Sequence, residues 1–354
     1  ASPDALAAAM GRALTQATNN QILEAYVLSG LGDVHRASGQ LAEAQSYYER
    51  ARQLQSLTGD ERSAASTLVQ MGTFFYVQSK FQASLEAYRQ AARIFRRLQL
   101  LREEANALIG VGNIWLLIGE YEKAAEQFEQ SLKAAQSGGY RHVEAIAQTN
   151  LGVAQLQMEQ YAAARQTLER AFQLGEIIGD VGIRAESRQR LGDVFAAEGQ
   201  HAQAQANFKQ ALEFFREQSS PNGEAEVSFS IGRLQYQLSQ LVGQSAALNW
   251  FQLSLEKWQS LGDRLGMARA LSALSRVHLA LNRRDEALRC NQQALTLIEA
   301  LRSDLLSYDL RATLSATFQT VYEQQIALLM RRHRQNPALG EDRQALQVSE
   351  RARA

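Results

Sequence analysis

The chain has 354 residues, 45% of them hydrophobic and 21% charged, and its 37 basic residues balance its 37 acidic residues. This composition is that of a folded protein, and the zero net charge excludes the basic surface expected of a nucleic-acid-binding protein. A single cysteine excludes an internal disulfide, and no apolar run is long enough to predict a membrane-spanning helix. We therefore expect neither nucleic acid nor membrane as a partner.

An apolar residue followed by glycine recurs every 40 residues along the chain. The six glycines are Gly32, Gly72, Gly112, Gly152, Gly192 and Gly232, and Ser275 takes the seventh place after an offset of 43. We call this residue position 0 of each repeat. A small residue stands at position +12 and a larger one at +16, once the three-residue insertion of the sixth repeat is allowed for. Position +16 carries Tyr48, Tyr88, Phe128, Leu168, Phe208 and Phe251, with Asn291 as the exception.

This period predicts seven helical hairpins over residues 21–302, each made of a helix A and a helix B. In the first hairpin we expect helix A from Ile22 to Ser38, Gly39 as its C-terminal stop, and helix B from Leu41 to Leu57. Glycine inside a helix costs about 1 kcal/mol relative to alanine, so its repeated use predicts a close approach of helix B. The three extra residues of the sixth repeat are expected in a loop over Ser239–Ala247.

The two ends of the chain depart from this period. Residues 1–20 are in phase with helix B of a preceding repeat, which predicts a truncated half-repeat helix there. Residues 303–354 predict a C-terminal helical junction: one long helix over 303–335, a loop at Asn336–Gly340 and a final helix.

The repeat resembles the tetratricopeptide repeat, with an apolar-glycine pair in helix A and small, aromatic and small residues in helix B. The resemblance covers residues 21–302, and the period of 40 instead of the usual 34 resembles a long-helix subclass. It implies an all-α fold, a right-handed superhelical solenoid of hairpins with a concave groove. A protein or peptide is the expected occupant of that groove.

The C-terminal segment carries a second resemblance, to the junction that precedes the protease domain in the CHAT family of caspase-like proteases. The residues that carry it are Leu310, Arg311, Phe318, Val321, Tyr322, Leu328, Leu329, Met330, His333, Asn336, Pro337, Ala345, Leu346 and Ser349–Arg353. The resemblance implies that the chain is the regulatory or sensor region of a protease whose catalytic domain follows Ala354. The alternative is a free-standing adaptor, or a scaffold that self-associates end to end.

The groove should be lined by the side of helix A that faces away from helix B, at positions −6, −3, +1, +4 and +5. In the middle repeats these positions are apolar, where an outer helix face should be polar, and Asn106 and Asn113 add amides for a peptide backbone. The alternative is that neighbouring hairpins, or the N-terminal segment, cover the stripe. The predicted groove residues are Val69, Tyr76, Asn106, Ile109, Asn113, Leu116, Val153, Leu156, Gln189 and Arg233.

Catalysis is not predicted, because no metal-ligand spacing, phosphate-binding loop or nucleophile with a third partner is present. A hidden hydrolase that pairs Cys290 with His278 is the rival, although His278 stands at position +3, where other repeats carry Phe75, Trp115 and Phe195. No metal or cofactor is expected, and the low cysteine content favours the cytoplasm. Arg233, Arg269 and Arg276 predict a basic end of the groove that favours an acidic ligand.

Overall fold

The computed structural model describes residues 9–10, 20–78, 80–238, 241–304 and 318–353. These residues form sixteen α-helices, one short 3-10 helix and no β-strand. The predicted half-repeat at residues 1–20 and the start of the junction, including Leu310 and Arg311, lie almost entirely outside the described residues. The all-α solenoid class expected from the repeat is confirmed.

Fourteen of the helices alternate in chain order between the helix A and helix B positions of the repeat. The A helices are α1 (Gln21–Ala37), α3 (Glu61–Val77), α5 (Leu101–Leu117), α7 (Arg141–Gln157), α9 (Val181–Ala197), α11 (Pro221–Gln237) and α13 (Arg264–Ala280). The B helices are α2 (Leu41–Thr58), α4 (Phe81–Arg97), α6 (Tyr121–Gly138), α8 (Tyr161–Ile178), α10 (His201–Glu217), α12 (Leu241–Leu261) and α14 (Arg284–Asp304). The first hairpin matches its predicted bounds to within one residue, and Gly39 has the positive φ, +75°, of a helix stop.

By its internal contacts the chain divides into two compact units, residues 1–160 and 161–354. In the first unit α1 contacts α3, α3 contacts α5, and α5 contacts α7. In the second unit α9 contacts α11, and α11 contacts α13. Each unit therefore presents a row of neighbouring A helices, and we call their sides at positions −6, −3, +1, +4 and +5 the A-helix face of that unit. The predicted boundaries after residues 20 and 302 stay predictions.

The glycine at position 0 touches the aromatic ring of helix B, as the repeat predicts. A Cβ atom added to Gly32 would lie 2.5 Å from the Tyr48 ring, and one added to Gly192 would lie 2.5 Å from the Phe208 ring. Tyr48 and Phe208 are 0% and 1% exposed, so neither ring has free space to retreat into. The ring fills the gap between the two helices of the hairpin, and glycine is the residue that leaves room for it.

Two predicted details of the chain path are wrong. The extra residues of the sixth repeat do not form a loop over Ser239–Ala247, because helix α12 begins at Leu241 and has 21 residues. A helix absorbs three residues by gaining most of one turn, which keeps its backbone hydrogen bonds. The single helix expected over residues 303–335 is also interrupted: α14 runs to Asp304, and Phe318 is the N-cap of a separate helix, α15 (Gln319–Gln335).

The C-terminal helices pack on the seventh hairpin through a polar contact. After α15 come the 3-10 helix Pro337–Leu339 and α16 (Glu341–Arg353). Asn291, at the position that is aromatic in other hairpins, is fully buried and donates to the Val321 carbonyl and to Gln325 Oε1, both at 2.9 Å. Gln324 Nε2 also donates to Ser275 Oγ at 2.9 Å. In the seventh hairpin, where Ser275 and Asn291 replace the glycine and the ring of other hairpins, both side chains thus hydrogen-bond α15.

The contact between glycine and ring gives a direct stability test. Gly192→Ala forces the new methyl group against Phe208, and we expect the free energy of unfolding to fall by about 1–3 kcal/mol, as for other overpacked cores. Phe208→Leu shortens the ring side chain, as Leu168 does naturally at the same position, so the double variant should lose less than the sum of the two single changes. Urea unfolding followed by circular dichroism measures all three. Additive losses would contradict the proposed contact.

Candidate ligand-binding face

The A-helix face of the first unit combines exposed apolar and amide side chains. Tyr76, Val77 and Leu117 are 40%, 56% and 42% exposed, and Asn106 and Asn113 are exposed as well. The five face positions of hairpins two to four contain no charged residue. This uncharged surface belongs to three neighbouring helices, α3, α5 and α7.

Other predicted groove residues lie deeper in the protein. Val69, Leu116, Val153 and Leu156 are half-buried, and Ile109 is only 9% exposed. Ile109 belongs to a core cluster with Phe128 and Leu151, and Leu116 packs against the same cluster. The alternative stated for the stripe, coverage by neighbouring hairpins, therefore describes Ile109, whereas Tyr76 and its exposed neighbours are open to a ligand.

At the first hairpin, the A-helix face contains a carboxylate that is held by hydrogen bonds. Asp33, at position +1 of α1, accepts from Tyr48 Oη at 2.7 Å and from Gln70 Nε2 at 2.6 Å. Burial, followed by the hydrogen bond to Asp33, raises the pKa of the Tyr48 hydroxyl, which therefore stays a donor. In the next hairpin the hydroxyls of Thr73 and Tyr88 are 2.8 Å apart. In these two hairpins the side chain at position +1 therefore hydrogen-bonds the tyrosine hydroxyl at position +16. In the third hairpin position +16 is Phe128, which has no hydroxyl, and the amide of Asn113 is exposed.

The A-helix face of the second unit is charged. Glu226 and Arg269 form a two-point ion pair, with Oε1–Nη1 and Oε2–Nη2 distances of 2.9 and 3.3 Å. Of the two groove residues predicted in this unit, Arg233 is exposed, whereas Gln189 is 3% exposed and is part of the interior. The sequence could have indicated this ion pair, because Glu226 and Arg269 stand at position −6 of two consecutive repeats. The irregular spacing of 43 between these repeats made the match hard to recognise.

Cys290 and His278 do not have the electrostatics of a catalytic pair. Burial raises the pKa of the Cys290 thiol, and burial also lowers the pKa of the His278 imidazole. A thiolate nucleophile needs the opposite shift at the cysteine, supplied by a nearby cation or a helix N-terminus. His278 is 8% exposed, and Cys290 packs against two apolar clusters, which is the environment of structural residues.

The sequence did not indicate a cavity in the C-terminal part of the second unit. It has a volume of about 480 Å³ and lies between α14, α15 and α16. Glutamines from all three helices line it, namely Gln292, Gln325, Gln344 and Gln347, over a floor that includes Leu295 and Leu329. Gln325 also accepts the hydrogen bond from Asn291, so this cavity adjoins the contact that docks α15.

Neither a metal-ligand group nor a membrane-spanning helix is found among the described residues. Those residues contain no group of three His, Cys, Asp or Glu side chains placed to hold a metal ion. None of the described helices is both long and apolar enough to cross a membrane.

Family models and solved structures both match the chain. The model of the tetratricopeptide repeat matches residues 22–97, 63–137, 103–177 and 245–300, and a second model with the same description matches 185–217. A comparison with curated proteins by sequence finds no match. The apo form of RapI is 17% identical, with a TM-score of 0.66, and the match covers 79% of this chain and 99% of RapI.

Two further structures extend the comparison. The Rap conjugation gene regulator of plasmid pLS20, in complex with a Phr peptide, is 17% identical with a TM-score of 0.56, covering 81% of this chain and 79% of the regulator. The signal transduction ATPase PH0952 from Pyrococcus horikoshii, which has a tetratricopeptide repeat sensor, is 17% identical with a TM-score of 0.59, covering 71% of this chain and 39% of PH0952. At these identities the similarity concerns the fold.

Proposed function

We propose that this chain, which belongs to the tetratricopeptide repeat family, binds a protein or peptide along the A-helix face of its first unit. The observation that carries the proposal is the uncharged surface on α3, α5 and α7, where exposed Tyr76, Val77 and Leu117 accompany Asn106 and Asn113. Contiguous exposed apolar patches on a protein surface often mark interaction sites.

The two asparagines provide the polar part of this recognition. Asn106 and Asn113 are seven residues apart on α5, so two helical turns place them on the same side of the helix. Each side-chain amide offers a carbonyl acceptor and two N–H donors, which can pair with the N–H and C=O groups of a peptide backbone. The apolar neighbours would contact side chains of the ligand, and the amides would fix its backbone. The Rap regulator of similar fold, solved with a Phr peptide, agrees with a peptide as the ligand class.

The proposal assigns no catalytic step to Cys290. The half-buried thiol has a raised pKa and packs against apolar side chains, so the protonated thiol is favoured near neutral pH. We therefore place the chain among binding proteins rather than hydrolases.

A finer form of the proposal makes the chain the regulatory or sensor arm of a CHAT caspase-like protease. Its support is the order of elements at the junction: helix α15, a short turn through Pro337 and Gly340, and helix α16. PH0952 is a larger protein with a tetratricopeptide repeat sensor, which agrees with the sensor arrangement. The competing form is a free-standing adaptor or a scaffold that self-associates through its ends.

The source gene separates these two forms. We expect its reading frame to continue past the codon of Ala354 into a domain with a histidine and a cysteine that each follow a strand-like apolar run. A stop codon directly after Ala354 would contradict the protease form and leave the adaptor.

Peptide selection tests the binding function itself. Peptides of about twelve residues are selected from a random display library on the full chain, and their affinities are measured by fluorescence anisotropy. We expect Leu116→Asp/Val153→Asp to weaken binding by about tenfold or more, because the carboxylates lose hydration under an apolar ligand. Asn106→Ala/Asn113→Ala removes the exposed amides without changing charge, and should weaken the same peptides.

The matched control is Leu57→Asp/Ile177→Asp, the same kind of change at exposed apolar residues of B helices, 76% and 65% exposed. It should leave affinity within about twofold of the original. Circular dichroism verifies that all variants keep their helix content. If no peptide is selected, or if both test variants bind like the control, the proposed face is not the binding site.

A further inference from the structure

The charged A-helix face of the second unit contains two kinds of arginine. Arg269 is satisfied within the protein, because it forms the two-point ion pair with Glu226 and its guanidinium lies 4.7 Å from the Phe229 ring and 5.3 Å from the Trp258 ring. Stacking and pairing together fix the orientation of this side chain. Arg269 is therefore a structural residue of the face.

Arg233 and Arg276, which we call the arginine pair, are placed differently. Both are exposed, and no carboxylate among the described residues lies within ion-pair distance of either one. They share position +1 of neighbouring helices α11 and α13, whose position −6 residues, Glu226 and Arg269, are in direct contact. The Arg276 guanidinium lies 5.9 Å from the ring of Tyr236, one turn beyond Arg233 on α11. The two cations thus lie on neighbouring helices of one face.

Asp193, an acidic residue that interacts electrostatically with Arg233, already has other partners. Asp193, at position +1 of α9, lies 3.6 Å from Arg190 and accepts from Ser230 Oγ at 3.5 Å. Burial raises the pKa of the Asp193 carboxyl, and Arg190 and then Arg233 offset part of that effect. Asp193 is therefore held by Arg190 and by its hydrogen bond, and it does not form a direct pair with Arg233.

Two neighbouring cations without a counter-ion repel each other, and an anion placed between them removes that repulsion. Guanidinium groups bind carboxylates through paired, charge-assisted hydrogen bonds, which makes a carboxylate a fitting ligand. Glu186 and Glu226 on the same face disfavour a polyanion such as a nucleic acid, which would bring many negative charges near them. A single acidic side chain avoids this repulsion.

We propose that the arginine pair binds an aspartate or glutamate side chain of a peptide that lies along the A-helix face of the second unit. This inference rests on the proposed peptide-binding function and adds to it a preference for acidic residues in the ligand. Each unit is treated by itself: the first is proposed to bind through apolar contacts and amide hydrogen bonds, and the second to prefer a ligand that carries an acidic side chain.

Selection on variants of the full chain tests the inference. Random peptides are selected in parallel on the original chain, on Arg233→Glu/Arg276→Glu, and on the control Arg170→Glu/Lys209→Glu, which makes the same charge change at exposed residues of B helices α8 and α10. We expect Asp and Glu to be enriched in peptides from the original chain and from the control. On Arg233→Glu/Arg276→Glu this enrichment should disappear, with Lys and Arg enriched in its place.

Affinities then quantify the effect. For a selected acidic peptide, replacement of its acidic residue by the neutral amide should weaken binding to the original chain by about tenfold, and the loss should shrink in high salt. The same replacement should have no effect on Arg233→Glu/Arg276→Glu.

Three results would overturn the inference. One is a set of selected peptides without acidic enrichment, and another is equal enrichment on the Arg233→Glu/Arg276→Glu variant. The third is a thymidine oligonucleotide that binds the original chain more tightly than the acidic peptide does, and loses affinity on that variant. In each case, peptides that remain sensitive to Leu116→Asp/Val153→Asp leave the proposed function standing, so the two failures are distinguishable.

Discussion

In five of the hairpins, a contact between a glycine of helix A and a ring of helix B determines how the two helices pack. At Gly32 and Tyr48, and again at Gly192 and Phe208, the ring occupies the space where a side chain of helix A would otherwise lie. In the hairpins that have this contact, one side of helix A is thereby committed to its own helix B. Positions −6, −3, +1, +4 and +5 are left on the opposite side, so the same contact that builds the hairpin also decides which residues a ligand can reach.

Within this constraint the two units use their A-helix faces differently. The first unit leaves Tyr76, Val77 and Leu117 exposed and has no charge at these positions in hairpins two to four. The second unit carries the Glu226–Arg269 ion pair and the exposed Arg233 and Arg276. The repeat thus provides one backbone arrangement, and the different residues at these positions give each unit a different surface chemistry.

The period of 40 predicted the hairpins because packing demands the same residue types at the same positions in each repeat. The bounds of the first two helices were therefore predictable to within one residue. Burial within the A-helix face was less predictable. Ile109 belongs to a core cluster that includes residues of the next hairpin, which a period within one repeat does not describe, and Gln189 is buried as well. The lengthened α12 was missed because an insertion of about one turn fits a helix as well as a loop. The hydrogen bonds from Asn291 to α15 were not predictable, because Asn291 is the exception to the pattern at position +16.

Site-specific photocrosslinking tests the account most directly. A photoreactive amino acid is introduced at Tyr76, on the A-helix face, and in a separate variant at Leu57, an exposed residue of helix α2. Each variant is illuminated with a selected peptide and analysed by mass spectrometry. The account predicts a crosslink from position 76 that excess unlabelled peptide prevents, and none from position 57. A bound peptide that crosslinks at position 57 and not at position 76 would contradict the assignment of the binding face.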